Sequence, residues 1–561
     1  MSEEHDLDRR RFLTYGSATA TSFALAGCVF GGDSGAGSSD GNGGDGGDGD
    51  TGDGEDGEDG MDGVGEAEWR SMEEPETRIG YLERANLAAH QEAPWIYLNR
   101  QFSVYGQATR LDWEPRRDEL IAAYEITPTD GDGEVVITQG QLDSGLDPHD
   151  HRETPTDNVV TQAHDGVLER DREGTIVEGL AEEWERIEDG HVRFHLREGV
   201  TFHNGDDLTP ADVAYSVNRI VDPEVGGLES PQRDQLAGVT SAEVAGDAER
   251  AVDVFSDGLN PIVFQEFATY CDVVREDWIE ERESGAINSD MNGTGPFQVV
   301  EYESDVEVVF EAHENYWRGE PDIDRLVFRG ASEDSTRVNQ LIQGETDVIV
   351  NVPPEEVSRV QGESTTAVAP VPSTRVIYNA MRFDVEPFDS RAFRMAMNYA
   401  IDLESIIEDV LNGFAGQTGQ PTLEGFVGYN EDVDPYPYDP ERAEELVEAS
   451  GYAGAEIELH TPVGRYLSDL EIAQTVAGFV DDLGNVSASV QQRDFGGLVE
   501  ELLDGDITTS PDWYLIGWGN ATFDTSQTLI PLLTSDGALT TFKDEDFDHL
   551  VDRSQELPTN E

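Results

Sequence analysis

Basic residues are scarce in this 561-residue chain: Lys543 is the sole lysine, and 35 Lys and Arg face 119 Asp and Glu, for a formal net charge of -84. A chain this acidic repels a phosphate backbone, which argues against nucleic acid as a partner. One lysine excludes a G-x-x-x-x-G-K-[ST] phosphate loop and would leave a Schiff-base enzyme dependent on Lys543 alone. Cysteine is nearly absent, with only Cys28 and Cys271. There is no H-E-x-x-H and no G-x-S-x-G elbow in a structured region. Nor is there a cysteine nucleophile, since Cys271 closes the apolar stretch Phe267-Ala268-Thr269-Tyr270-Cys271. No catalytic constellation emerges, and the chain is expected not to be an enzyme and to need no cofactor.

What is present starts with the acid itself. It is spread over the whole chain rather than gathered in one tail, as expected of a surface adapted to multimolar salt, where a Debye length of about 3 Å or less screens self-repulsion. At roughly 100–200 residues per domain the chain should hold at least two domains. Residues 1–28 read as a processing signal: Arg9-Arg10-Arg11-Phe12-Leu13 fits a twin-arginine pattern, and the apolar run Tyr15 to Ala26 is too short to span a bilayer. The run ends Leu25-Ala26-Gly27-Cys28, similar to a lipobox, so Cys28 is expected to become a lipid-modified N-terminus. With Cys28 lipidated, Cys271 has no partner and no disulfide framework forms. Residues 29–68 are an acidic Gly/Asp linker that cannot bury a core. Asp48, Asp50 and Asp53 are loosely spaced like the start of a calcium loop, but the Glu expected at its twelfth position is missing.

From Glu134 strand and helix patterns alternate. Val135-Val136-Ile137-Thr138 is a short buried strand leading into the loop Gln139 to His149, and Val192 to Leu196 alternates at period two. Downstream, Asn204-Gly205 supplies a turn, and Thr209 caps a helix with Pro210 at its first position and Asp212 in its first turn. The run Arg197 to Val217 resembles the signature of the family 5 extracellular solute-binding proteins, the peptide- and nickel-type receptors of ABC importers. Other motifs agree in order: Leu146-Asp147-Pro148, Gly293-Thr294-Gly295-Pro296-Phe297, Asn315-Tyr316-Trp317-Arg318-Gly319, Leu341 to Asp347, Phe388 to Asp402, and Tyr438 to Ala443. The resemblance implies an α/β, two-lobed periplasmic-binding-protein-like fold of type II with an extra subdomain and a hinge between the lobes.

One block is out of order. Arg78 to Leu98, Val104-Tyr105-Gly106 and Trp113 to Arg117 look like the segment that normally closes the family's chain, yet they precede the first strand. A circular permutation accounts for this, because domain termini often lie close together at the surface. The alternative is an unrelated extension. The expected layout is 69–126 as the permuted segment completing the first lobe, 134–370 as the first lobe with its subdomain, 371–540 as the second lobe, and 541–561 returning toward the first. Permutation predicts that Trp69 and Glu561 end near one another.

The resemblance also implies where ligand would bind. In the family an aspartate three positions after a tryptophan meets a peptide's amino group; here Trp518 aligns but that position is Ala521. Either Asp524 substitutes, or the ligand carries no amine there. Trp518 is expected as a stacking wall, the alternative being a core indole, with Gly519 and Asn520 beside it. Gln141, Asp143 and Ser144 would face the cleft from the larger lobe, and Tyr378, Asn379 and Phe414 from the second. Arg465 would either meet a carboxylate or offset neighbouring acids. His149-Asp150-His151 could chelate a metal, but no third ligand can be named and a structural role is preferred. Asn485-Val486-Ser487 is the plausible glycosylation sequon. The expected function is a substrate-binding lipoprotein of an ABC importer. Anchored by lipid on the extracytoplasmic face of the cell membrane and monomeric, it would deliver a peptide or similar-sized solute to permease subunits with their ATPases. Alternatives are a ligand-sensing adaptor for a membrane receptor, or a receptor for sugars or metal chelates.

Overall fold

The computed structural model describes residues 64–131, 133–142, 145–151, 154–236, 238–463, 465–502 and 507–558. The leader, Cys28 and nearly all of the linker lie outside them. Among the described residues no helix is long and apolar enough to cross a membrane.

An 11-stranded mixed sheet runs through the whole body. Its strands, and those of a separate four-stranded sheet, are β1 (Trp95–Ala108), β2 (Glu134–Gln139), β3 (Ala181–Glu188), β4 (His191–Leu196), β5 (Val239–Val244), β6 (Ala251–Ser256), β7 (Phe297–Glu303), β8 (Glu307–Ala312), β9 (Arg325–Gly330), β10 (Val348–Ile349), β11 (Thr366–Met381), β12 (Ala415–Gln417), β13 (Ala455–Pro462), β14 (Val486–Arg493) and β15 (Trp513–Gly519). The large sheet has the order β7-β8-β9-β2-β10-β1-β11-β15-β13-β14, with β12 on β1. The small sheet, β3-β4-β6-β5, is antiparallel and forms the subdomain, packed by its own core of Phe194, Phe202, Val213, Val217 and Phe267.

Two strands make the two lobes one molecule. β1 and β11 are antiparallel partners over nearly their whole length, from Trp95↔Ala380 to Ala108↔Thr366. One end of the pair joins β10 and the first lobe; the other joins β15 and the second. Register shifts between Tyr97 and Asn99 and between Arg100 and Phe102 break the ladder where it passes between lobes. Bulges of this kind bend a strand and loosen its pairing, so the crossing is where a hinge can act. The expected boundary at 370/371 falls inside β11, at this crossing.

The helices used below are α1 (Arg78–Glu92), α2 (Pro210–Val221), α3 (Arg391–Tyr399), α4 (Pro440–Ser450), α5 (Asp469–Asp481), α6 (Ser526–Leu533) and α7 (Glu545–Gln555). α2 begins in a capping box, the Thr209 hydroxyl and the Asp212 carboxylate each answering the other's backbone N–H, with Pro210 at its first position. In the second lobe the sheet is covered on both faces. Residues from α3, α4 and α5 pack with Ile96, Leu98, Trp513 and Leu515, while α1, α6 and α7 pack with Trp95, Tyr97, Tyr514 and Trp518. The period-two alternation of β1 and β15 sends successive side chains to these opposite layers.

The leading block therefore serves both lobes rather than completing the first alone. α1 and the first half of β1 lie in the second lobe, whereas Val104, Tyr105, Leu111, Trp113, Ile121 and Ile126 join first-lobe cores. The terminal helix also differs from expectation. Phe547, Leu550 and Val551 have helical spacing that matches α1, so α7 packs against α1 in the second lobe instead of returning to the first. Trp69 shares that core with Leu557 at its edge, and Arg70 donates to Asp544 and Asp546; Glu561 lies outside the described residues.

Candidate ligand-binding cleft

Two chambers open where the lobes meet. The larger, about 1020 Å³, is bounded by the crossing part of β1, the loop after β2 and the segment leading into α5. The smaller, about 390 Å³, lies between residues 116–125, the subdomain segments 164–171 and 267–272, and the start of the loop after β15. Glu119, Thr154 and Arg375 line both, so the two are parts of one cleft. Their volumes span the range of small-molecule sites, roughly 300–1,000 Å³.

Two arginines give the cleft its chemistry. Arg375, in β11 opposite Gly519 of β15, is only 5% exposed, and its Nη1 is buried with no hydrogen-bond partner among the described residues. Its Nη2 lies 3.5 Å from Glu119 Oε2. The guanidinium is laid against Gly519 so closely that a Cβ there would sit 3.1 Å from Nη2. Arg465 is fixed by its backbone N–H to Asp469 Oδ2 (2.7 Å) and lies over Tyr466 and Phe495, 5.0 and 4.9 Å from their ring centroids. Its Nε and Nη2 are buried and have no hydrogen-bond partner among the described residues. Burial foremost, with the Arg375 charge adding to it, lowers its pKa. Both side chains line the larger chamber. Desolvated guanidinium N–H groups without partners form a receptor for a carboxylate or a similar oxyanion.

The smaller chamber is rich in acids, most of them already engaged. Asp165 accepts from Thr294 Oγ1 (2.7 Å), the Tyr316 hydroxyl (2.9 Å) and Trp317 Nε1 (2.9 Å). This explains the Gly-Thr-Gly-Pro-Phe motif: Thr294 reaches Asp165 because Gly293 and Gly295 run against Ala163, and a Cβ on Gly293 would fall 1.9 Å from the Ala163 carbonyl oxygen. Glu169 pairs with Arg318 at 2.7 Å, and burial raises its carboxyl to about 7.

The sequence-selected residues divide. Gln141 stands exposed at the larger chamber, and Gly519 lines the smaller with Ala521. Trp518 is not a cleft wall: it is 4% exposed and packs with the aromatic layer of Trp95, Tyr378 and Tyr514, because even positions of β15 face away from the cleft. Tyr378 stacks on Trp95 at 3.7 Å, and Asn379 is fully buried within the sheet. Asn520 spends its amide on the Asp524 carbonyl and the Thr528 hydroxyl. Asp524 cannot serve as a free amine partner, for it is fully buried and bound by both Nη atoms of Arg78 at 2.8 Å. Phe414 packs with Val104 and Ile349 outside the chambers, while Asn412 of the same loop lines the larger one. Asp143 and Ser144 lie outside the described residues.

His149 has a structural role. Its Nε2–H donates to the Asp272 carbonyl (2.7 Å) and its Nδ1 accepts from Arg219 (3.0 Å), whose guanidinium also grips Asp147 at 2.9 and 2.6 Å. Burial pushes its pKa down to about 3, and among the described residues no group of three or more His, Cys, Asp or Glu is placed to hold a metal. Sequence reasoning missed Arg375. The available signal was a lone charge in an otherwise neutral or apolar run, Thr374-Arg375-Val376-Ile377.

Comparison with known proteins agrees with this architecture. The model of the bacterial extracellular solute-binding proteins, family 5 middle, matches residues 175–539. The chain belongs to that family. It is 26% identical over 427 residues to heme-binding protein A of Haemophilus influenzae, covering 71% of this chain and 77% of that one. It is also 26% identical over 401 residues to the dipeptide-binding protein of Escherichia coli, covering 67% and 73%. The solved structure of HbpA2 from Haemophilus parasuis superposes with a TM-score of 0.64 at 21% identity, over 76% of this chain and 88% of that one.

Proposed function

We propose that this protein captures a peptide-like anionic solute outside the cell and hands it to an ABC permease. The observation that carries the reading is the pair of buried, incompletely partnered guanidinium groups, Arg375 and Arg465, in a cleft between two lobes joined by the continuous strands β1 and β11. Ligand held on those arginines would touch Gln141 and the subdomain across the cleft. A solute that contacts both lobes binds the closed arrangement more tightly, and that differential affinity shifts the population toward it. Binding, rather than turnover, is what such a cleft does; the energy for import would come from the partner ATPases. The test is a thermal-shift screen of the full chain in multimolar KCl against tripeptides, oligosaccharides and metal chelates. A ligand at 100 times its Kd should add about 2.7 kcal/mol. Stabilisation by sugars or chelates alone would overturn the peptide reading.

The same reading includes export by the twin-arginine leader, lipid on Cys28, a surface suited to high salt, and a circularly permuted chain order. Support for the last is the contact of Arg70 with Asp544 and Asp546 and the shared core of Trp69, α1 and α7. Moving residues 69–126 behind residue 558 should give a protein that folds and binds like the original. Failure of that variant to fold would count against permutation.

A further inference from the structure

A short loop after β15, residues 519–525, carries the second lobe up to the subdomain. The loop is rigidly built. Asn520 Oδ1 accepts from the Thr522 N–H (3.2 Å) and hydroxyl (3.0 Å), the Phe523 carbonyl accepts from the Val427 N–H (2.9 Å), and Asp524 is locked to the buried Arg78. Phe523 lies in the left-handed region at φ 57°, a conformation that non-glycine residues hold only when their surroundings impose it.

Arg170 of the subdomain meets this loop. It is 6% exposed and donates from Nη2 to the Thr522 carbonyl (2.9 Å) in the opposite lobe. On its own side it donates to Thr269 Oγ1 (3.1 Å) and to the carbonyls of Gly174 (2.7 Å) and Gln265 (3.0 Å), and its Cζ lies 5.1 Å from the Phe523 ring centroid. The Thr269 hydroxyl reaches the Ala521 carbonyl (3.2 Å), and Gln527 Nε2 donates to the Tyr270 hydroxyl (3.4 Å). Phe523 also covers Gly174, at φ 91°, where a Cβ would fall 2.5 Å from the ring. A second strut stands beside this one: Arg117 of the first lobe donates to the Glu424 carbonyl (2.9 Å), two residues before Phe426, whose ring lies 5.0 Å from that of Phe523.

Every hydrogen-bond acceptor in these bridges is a carbonyl or a hydroxyl. Burying a cation against neutral acceptors is costly, and burial lowers the Arg170 pKa to about 10; the cation stands where the two lobes touch. Such a fastening suits multimolar salt, which screens exposed ion pairs but leaves a buried guanidinium on carbonyl dipoles and an aromatic face nearly untouched. Bending at the β1–β11 crossing parts the lobes only if these contacts break. We propose that Arg170, Thr269 and the 519–525 loop form a clasp, made of chain atoms alone, that biases the resting cleft toward the closed arrangement, so that solute enters during transient openings. The clasp then sets the resting ratio of closed to open, and solute adds to it. This goes beyond the solute-binding reading above and is tested without any solute.

The experiment measures the distance between spin labels on the two lobes by double electron–electron resonance, with the full chain in multimolar KCl. Labels are placed at Glu198→Cys in the subdomain and Glu448→Cys in α4, both exposed, in a Cys28→Ser background; Cys271, 1% exposed, stays unlabelled. The protein with an intact clasp is compared with Arg170→Met, which keeps the apolar stem, and with the nearly isosteric Thr269→Val. Each inter-lobe hydrogen bond lost should raise the ratio of open to closed about fivefold. The intact clasp should give one narrow distance, R170M a second and longer one, and T269V a smaller share of the same. An R170M protein without the longer distance, or an intact clasp already dominated by it, overturns the proposal and leaves the solute-binding reading untouched. If circular dichroism shows that R170M does not fold, T269V decides: a longer-distance population supports the clasp, and an unchanged distribution overturns it.

Discussion

Asp524→Ala should destabilise the second lobe rather than act directly on ligand capture. Arg78 opens α1 and Asp524 sits in the loop between β15 and α6; both side chains are fully buried, and each Nη lies 2.8 Å from a carboxylate oxygen. Oδ1 also accepts from the Ser526 N–H (3.0 Å) and hydroxyl (2.6 Å). Deleting the carboxylate strands a buried guanidinium, a defect worth about 3–5 kcal/mol. Multimolar salt does little to relieve it, since buried charges are screened far less than exposed ones. For a cooperative unit of about 150–250 residues each kcal/mol moves Tm by roughly 2–4 °C, so a fall on the order of 10 °C is expected by calorimetry. Arg78→Met should cost a similar amount. The double variant Arg78→Met/Asp524→Leu removes both charges and should be more stable than either single variant. An Asp524→Ala protein that melts like wild type but no longer binds peptide would refute this reasoning and restore Asp524 as a ligand group.

Arg465→Ala should weaken binding of a carboxylate-terminated peptide by at least about tenfold by titration calorimetry while leaving Tm within about 2 °C, because the side chain makes no hydrogen bond that the fold needs. Gly519→Ala should act similarly: its Cβ would press on Arg375 at 3.1 Å, displacing the guanidinium without opening the core. Gly293→Ala should instead destabilise the first lobe by several kcal/mol, on the order of 3 or more, since the intruded atom is a backbone carbonyl. Asp272 contributes to pH dependence with a definite sign. Its folded pKa of about 7 lies above the unfolded 3.8, so the native state binds more protons between those values. Its contribution to stability should therefore fall as pH rises from about 4 to 7, and D272N should flatten that slope in denaturation curves. Finally, diluting salt from multimolar to about 0.1 M, where the Debye length grows to about 10 Å, should unfold the protein as the net charge of -84 is unmasked, followed by circular dichroism.

Much of the fold was legible because the relevant signals are local. The Thr209-Pro210-x-Asp212 start of α2, the apolar run of β2 and the glycines of Gly293-Thr294-Gly295 act through neighbours a few residues away, or through space that only glycine leaves. The cleft was less legible. Trp518 and Tyr378 looked like binding aromatics, and nothing within their own segments says which face of β15 or β11 meets solvent; that is fixed by α1 and α7, more than 450 residues apart in sequence, covering one side. Asp524 looked available because its partner, Arg78, lies 446 positions away.

The sequence by itself determined the α/β class, the family and the leading block's need for a core, all of which rest on composition, periodicity and short motifs. Only the tertiary structure decided which charges are spent and which are left. Arg78, Arg219, Asp147 and Asp524 find buried partners across long separations, whereas Arg375 and Arg465 retain, among the described residues, unsatisfied polar atoms in one cleft. A side chain's chemistry is written in its residue type, but its availability depends on which remote groups the packed chain brings within 3 Å of it, and that is a property of the whole fold.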